Sequence, residues 1–273
     1  MQHNLFEWNN NSSVISAKPI SKDKTNIAKQ LAIFFEILYA GKTPRINSDG
    51  VTSHEAVTGG SFQTISGGSM GFPKVLERTC ISWILSFNTN DKNYNLSGSR
   101  VALLGSLTHS LSLYGALEAI FLGCEVHHLA GLSPSSQLEY LENKKIEILY
   151  VTPTQLRLML SAKYQNYLID GLRYIFIGGA SIEQNTLAEL SKIAPNAELK
   201  QFYGSSETSF ITISDLLTPI NSVGKAYPGV EIVLGDQPDK PVSVGETGRV
   251  WVRSPYLFSK YVGENRSNIN RFS

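Results

Sequence analysis

The chain has 273 residues, 42% of them hydrophobic and 17% charged, which gives a sizeable core and excludes a disordered polypeptide. Lys plus Arg (24) nearly cancels Asp plus Glu (23), so no global field draws the protein to nucleic acid or to an anionic lipid surface. Two cysteines, Cys80 and Cys124, sit in apolar runs without Cys-x-x-Cys spacing, the pattern of buried free thiols rather than a disulfide or metal pair.

Residues 1–25 are rich in Asn, Ser and Lys, lack the basic start and apolar stretch of a signal peptide, and are expected to be a loosely packed, poorly ordered lead-in. Apolar residues then recur at helical spacing (Ile27, Leu31, Phe34, Phe35, Leu38), predicting a helix over 27–39 that Gly41 stops. The apolar run 31–40 carries Glu36 and is too short to span a bilayer, so a cytoplasmic protein without a membrane span is expected. Residues 58–71 are dense in Gly, Ser and Thr and do not predict regular structure throughout.

Beyond that segment short apolar strands alternate with helical stretches. The strands fall at 101–104, 125–129, 146–151, 172–177 and 199–203, and the helices at 111–122, 133–143, from 153 and at 182–193. Ser133-Pro134 and Thr152-Pro153 each place a capping hydroxyl before a proline at the first helical position. Such alternation predicts an α/β fold, a mostly parallel sheet with helices on both faces. From residue 218 prolines and glycines punctuate short strands at 230–234 and 249–253, predicting a smaller β-rich subdomain. The expected division is therefore 26–215 and 216–273.

The run Ser66-Gly67-Gly68-Ser69-Met70-Gly71-Phe72-Pro73-Lys74 joins three glycines, two hydroxyls and a lysine. Successive backbone N–H groups in such a turn form a concave anion site suited to a polyphosphate, and a plain surface turn with a solvated lysine has the same composition. A Walker loop is excluded because Phe72-Pro73 separates Gly71 from Lys74, and Gly-x-Gly-x-x-Gly does not fit. Gly67-Gly68-Ser69-Met70-Gly71 matches the nucleophile elbow of α/β-hydrolases, but that fold needs a histidine late in the chain and the last one here is His128.

Further segments follow in order. Leu107-Thr108-His109-Ser110 closes a predicted strand, a later strand ends in Gly178-Gly179-Ala180, and Gln201-Phe202-Tyr203-Gly204-Ser205-Ser206-Glu207-Thr208 is a strand running into an acidic turn. Ser222–Val230, which contains Gly224, and Gly245–Pro255 complete the series. Each alone has an ordinary reading as a structural histidine or a glycine turn.

In this order the segments resemble the adenylate-forming (AMP-binding) superfamily, in its acyl- and aryl-CoA ligase branch, over about Phe35 to Gly263. Ser66, Gly68, Ser69, Gly71, Pro73 and Lys74 match the phosphate loop of that superfamily, Gly67 is a mild variant, and Met70 stands where a hydroxyl is usual. The resemblance implies that Ser66, Gly67, Gly68, Ser69, Gly71 and Lys74 hold the phosphates of ATP. Gly178, Gly179 and Ala180 would lie against adenine and Tyr203 would stack on it, with Gly204 beside it. His109, Gly204 and Gly224 would border the acyl pocket. Ser206 would bond the α-phosphate and Glu207 would hold Mg²⁺, a hard cation that prefers carboxylate oxygen; His109, Ser206 and Glu207 would surround the reacting centre. No acidic residue lies between Arg100 and Glu118, where the amino-acid-activating branch keeps an Asp, so the implied substrate is a fatty or aryl acid.

The implied activity is ATP-dependent conversion of a carboxylic acid to an acyl-adenylate, for transfer to coenzyme A or to the phosphopantetheine thiol of an acyl carrier protein. Residues 26–215 would be the nucleotide- and acyl-binding subdomain. The family pattern also carries a longer α/β subdomain ahead of the glycine loop and, after the position of Ser273, a Thr-Gly-Asp segment and a lysine-bearing lid. The expectation is accordingly a large-domain portion lacking the lid, either a ligase core or a non-catalytic nucleotide- or acyl-binding module derived from one.

Overall fold

The computed structural model describes residues 4–17, 26–56, 59–66, 73–162, 167–215, 217–219 and 221–263. In chain order the elements are β1 (Ser13–Ser16), α1 (Ile27–Tyr39), β2 (Thr43–Asn47), β3 (Gly50–His54), β4 (Ser61–Ile65), β5 (Val75–Thr79), α2 (Cys80–Tyr94), β6 (Arg100–Leu103) and α3 (Ser110–Phe121). They continue with β7 (Glu125–His128), α4 (Pro134–Asn143), β8 (Ile148–Val151), α5 (Pro153–Ser161), β9 (Tyr174–Ile177), α6 (Gln184–Ile193), β10 (Glu198–Ser205) and β11 (Ser209–Ser214). Last come β12 (Lys225–Ala226), β13 (Glu231–Gln237), β14 (Lys240–Pro241), β15 (Arg249–Arg253) and β16 (Lys260–Tyr261).

Strands that are apolar at every position must be covered on both faces, and the central strands obey this. Val101 and Leu103 of β6, Ile148 and Tyr150 of β8 and Phe176 of β9 pack into one core with α1, α2 and α3. Their alternating neighbours Ala102, Leu149, Val151, Ile175 and Ile177 pack into a second core with α4, α5 and α6. The resulting sheet has eight strands in the order β1-β7-β6-β8-β9-β10-β11-β12, parallel as far as β10 and antiparallel beyond it. This is the expected mostly parallel sheet with helices on both faces. A second sheet, β16-β5-β4-β2-β3, and a third, β14-β13-β15, complete the fold.

Local signals explain the helices that form as expected. In α1 the residues Ile27, Leu31, Phe34, Phe35 and Leu38 are buried, each worth roughly 1.5–3 kcal/mol of removed apolar surface, and Asn26 caps the helix by accepting from the Lys29 N–H at 3.2 Å. Thr152 and Gln155 form a reciprocal capping box at α5, with Pro153 at the first helical position. Cys80 and Cys124 are free and buried, and burial pushes both thiols up to about 12.

The lead-in departs from expectation. Over 4–17 it is built into the fold: Phe6 is fully buried against Phe62 and Phe87, and β1 pairs in parallel with β7, giving that strand a second neighbour. Residues after 216 do not gather into one sheet either. The strand β12 finishes the large sheet beside β11, β13–β15 form the small sheet, and β16 returns to pair with β5.

Between α2 and α3 lies a buried polar network centred on Glu118, which is 2% exposed. Tyr150 donates to Oε2, Asn90 Nδ2 donates to Oε1 at 2.8 Å, and the Tyr114 hydroxyl is 3.1 Å from Oε1 and 2.9 Å from Ser86 Oγ. The hydrogen bonds from Tyr150, Asn90 and Tyr114 favour the carboxylate, while complete burial opposes it more strongly. Burial accordingly pushes the Glu118 carboxyl up to about 7. Because its folded value is raised, the unfolded chain loses this proton first. Stability is therefore expected to fall as pH rises from about 4.5 to about 7, by about 3 kcal/mol, and then to level off. Urea melts at stepped pH check this; Glu118→Gln should flatten the slope.

Candidate active site

In a parallel sheet, ligands lie beyond the carboxyl ends of the strands, where the strand order reverses. Here β6 is followed by β7 on one side and β8 on the other, so the reversal sits at the end of β6. Loops from these strand ends converge on one cavity of about 620 Å³. Ser110 and Leu111 enter it from beyond β6, Thr152 from β8, Gly178 and Gly179 from β9, and Gly204 to Glu207 from β10. Its floor is aromatic, made by Trp83, Tyr114, Phe202 and Phe210.

Beside the loop that follows β6 stands the β4–β5 hairpin, whose Ile65 carbonyl accepts from Ser110 Oγ at 3.3 Å. The two strands pair from Ser61↔Thr79 to Ile65↔Val75, and the glycine-rich run is their connection. Its ends are pinned together: the Ser66 N–H donates to the Lys74 carbonyl at 2.9 Å, and the Lys74 N–H donates to Ser66 Oγ at 3.1 Å. Both residues line the cavity. Gly67, Gly68, Ser69 and Gly71 lie outside the described residues.

The acidic turn links β10 to β11. Ser205 Oγ accepts from the N–H groups of Glu207 and Thr208 at 3.2 and 3.3 Å, a hydroxyl turn that projects the 206–207 pair. Gly204 has no substitute here, because a Cβ would run into the Ser209 carbonyl across the hairpin. Gly178 is constrained similarly by the Phe202 ring.

Behind the turn Arg78 of β5 is fully buried. Its guanidinium donates to the Ser206 carbonyl at 2.6 Å, to Ser209 Oγ at 2.7 Å and to the Tyr256 carbonyl, and it lies 5.4 Å from the Trp83 ring. Burial pulls the group down to about 9 while the nearby Glu207 carboxylate pulls it back up, so it remains charged at neutral pH. On the solvent side Tyr261 donates to Glu207 Oε1 at 3.0 Å, and Lys74 Nζ stands 4.6 Å over the same ring.

The residues expected from sequence are thus only partly gathered. Ser66, Lys74, Gly178, Gly179, Gly204, Ser206 and Glu207 share the cavity. His109 is exposed at the N-cap of α3, while its neighbour Ser110 lines the cavity and lies 3.1 Å from Ser206 Oγ. Ala180 is exposed and accepts from Gln201 through its carbonyl. Tyr203 is 45% exposed, and the strand alternation turns Phe202, not Tyr203, to the cavity. Gly224, with φ +90°, packs against Ile213 and Ser214 rather than lining the cavity. Sequence reading missed Arg78, Trp83, Tyr114, Thr152 and Tyr261, which no motif marks as part of a site.

A divalent cation fits this donor set. Glu207 offers a carboxylate at the cavity wall, and no group of three or more His, Cys, Asp or Glu capable of holding a metal exists among the described residues. Magnesium, which takes one or two carboxylates and completes its shell with phosphate and water, would fit a wall that offers the Glu207 carboxylate. No helix among the described residues is long and apolar enough to cross a membrane.

Comparison with known proteins agrees. The profile of the family described as "AMP-binding enzyme" matches residues 64–262. The candidate long chain fatty acid–CoA ligase VraA of Staphylococcus epidermidis is 32% identical over 200 residues, covering 72% of this chain and 42% of VraA. The uncharacterized acyl–CoA ligase YhfT of Bacillus subtilis is 32% identical over 205 residues, covering 74% and 42%. The chain therefore spans about two fifths of the length of the curated relatives it matches. The structure of O-succinylbenzoate coenzyme A synthetase (MenE) from Bacillus subtilis, in complex with ATP and magnesium ion, superposes with a TM-score of 0.65 at 21% identity, covering 74% of this chain and 43% of that one, and so shares the fold. With a family match running from the β4–β5 hairpin through β16, over a cavity at the switch point of the sheet, the chain belongs to the AMP-binding, adenylate-forming enzymes.

Proposed function

We propose that this chain forms the ATP- and acid-binding core of an acyl- or aryl-acid ligase. The supporting observation is that Lys74 and Glu207, far apart in sequence, meet at one cavity that Trp83, Tyr114, Phe202 and Phe210 also line. The charged groups suit a polyphosphate with its cation and the aromatic ones an apolar acyl or aryl group.

In this reading the acid's carboxylate oxygen attacks the α-phosphorus of ATP. The bond from that phosphorus to the bridging oxygen breaks, and pyrophosphate leaves. Lys74 and the 66–74 backbone hold the phosphates, while Ser206 donates to the α-phosphate. Glu207 would hold magnesium, which supplies charge neutralisation when bound. The chain's own work is positioning, together with charge stabilisation as charge builds on the leaving group. The aromatic floor of Trp83, Tyr114, Phe202 and Phe210 carries no acid toward the cavity, in keeping with a fatty or aryl acid, and the acyl group would pass on to coenzyme A or a carrier-protein thiol.

Calorimetric titration with ATP and magnesium, followed by ATP–pyrophosphate exchange over a panel of fatty and aryl acids, tests this. Saturable binding and acid-dependent exchange are expected. Binding without exchange for any acid identifies a nucleotide-binding module instead, and absence of binding removes the nucleotide reading.

A further inference from the structure

The Glu207 carboxylate is not placed by its own turn alone. The Phe258 N–H donates to the Glu207 carbonyl at 2.8 Å, and the Tyr261 hydroxyl donates to its Oε1 at 3.0 Å, so one short segment grips both the backbone and the side chain of this residue. That segment is itself anchored to the phosphate-loop hairpin. Ser259 and Val262 donate to the carbonyls of Glu77 and Val75 at 2.7 and 2.8 Å, and Lys260 pairs with Glu77 at 3.3 Å. The Phe258 and Tyr261 rings meet edge to face at 4.8 Å, which fixes the tyrosine's direction. From the same ring Lys74 Nζ stands at 4.6 Å. A single side chain therefore contacts both the Lys74 ammonium and the Glu207 carboxylate at the cavity.

We propose that Tyr261 is a positioning residue for the cation–phosphate end of the site. Its hydroxyl holds Oε1 of Glu207 and leaves Oε2 as the oxygen offered to a divalent cation, while its ring face steadies the Lys74 ammonium where a phosphate would meet it. The inference rests on the proposed nucleotide reading. The two contacts are chemically separable. Tyr261→Phe removes the hydroxyl and keeps the ring, whereas Tyr261→Leu removes both.

The experiment titrates ATP, with and without magnesium, into the full chain and these two variants. For Tyr261→Phe, metal-free ATP affinity should stay within about twofold of the parent, while the gain in affinity brought by magnesium falls by roughly three- to tenfold, the scale of one charge-assisted hydrogen bond at a half-exposed site. Tyr261→Leu should show the same loss and, in addition, a roughly two- to fivefold loss of metal-free affinity as the ring under Lys74 disappears. Thermal melting of Tyr261→Phe should match the parent, because the β5–β16 backbone pairing is untouched. A full magnesium gain in Tyr261→Phe overturns the proposal, and so does an equal loss with and without the metal, which is the signature of a packing role. If the parent binds ATP normally and the variants do not differ from it, this inference alone fails; if the parent binds no ATP, the nucleotide reading fails with it. Should Tyr261→Leu not fold, Tyr261→Phe decides the question.

Discussion

Glu207→Gln is expected to lower ATP–pyrophosphate exchange by about 10²–10³-fold, the usual cost of removing one preorganised electrostatic group from a reacting centre. The amide keeps the shape of the side chain and can still accept from the Tyr261 hydroxyl, so the turn stays closed. What disappears is the negative charge that would hold a cation against the phosphates. Arg78 loses the partner that raises it, yet its carbonyl and hydroxyl acceptors remain. Melting temperature should consequently change little while exchange and magnesium-dependent ATP binding collapse together. A variant that keeps its magnesium dependence would remove Glu207 from the metal role.

Arg78→Met should produce the largest loss of stability of any single substitution described, about 3–5 kcal/mol. Methionine fills much of the volume but donates nothing. It removes the hydrogen bonds to the Ser206 carbonyl and to the Tyr256 carbonyl, which keeps Ser209 Oγ as a donor at 3.2 Å, and each group left short of a partner costs roughly 1–3 kcal/mol. In a chain of this size that corresponds to a melting temperature roughly 6–20 °C lower. Replacing a buried ion pair with apolar groups is often harmless, but here the acceptors are backbone and cannot be replaced along with the arginine. Arg78→Lys should recover part of the loss, since one ammonium reaches fewer of the acceptors that the planar fork joins. Differential scanning calorimetry ranks the three proteins.

Elements whose cause is local were legible from the sequence. The helix α1 lies where its apolar spacing places it, β15 spans the predicted 249–253, and Thr152-Pro153 marks the start of α5. The helix α2 was not legible, and the reason is physical. Its inward face carries Ser82, Ser86 and Asn90, all buried, because they bond to Tyr114, Glu118, Tyr227 and backbone carbonyls instead of packing as hydrocarbon. These polar side chains interrupt the apolar run of its first half and blur the helical period. The strand β1 is invisible for a related reason, being held by the open edge of β7 rather than by its own composition. At the site, glycine and charged residues in short motifs marked Lys74, Gly178 and Glu207. Trp83, Tyr114 and Tyr261 at the cavity, and Arg78 behind the acidic turn, come from segments with no motif, and their roles exist only once the sheets are assembled.

The contact between β16 and the 206–207 turn also sets an order of events during synthesis. Tyr261 and Glu207 are 54 residues apart, so a ribosome adding about 5–20 residues per second needs on the order of 3–10 s to pass from one to the other. Throughout that interval the central parallel strands are already made and able to pair, whereas the acidic turn still lacks the tyrosine and the Tyr256 carbonyl that lock it. A nascent chain in this state would hold its scaffold without a finished pocket, so under the proposed function nucleotide retention would be a late marker of maturation rather than an aid to early folding.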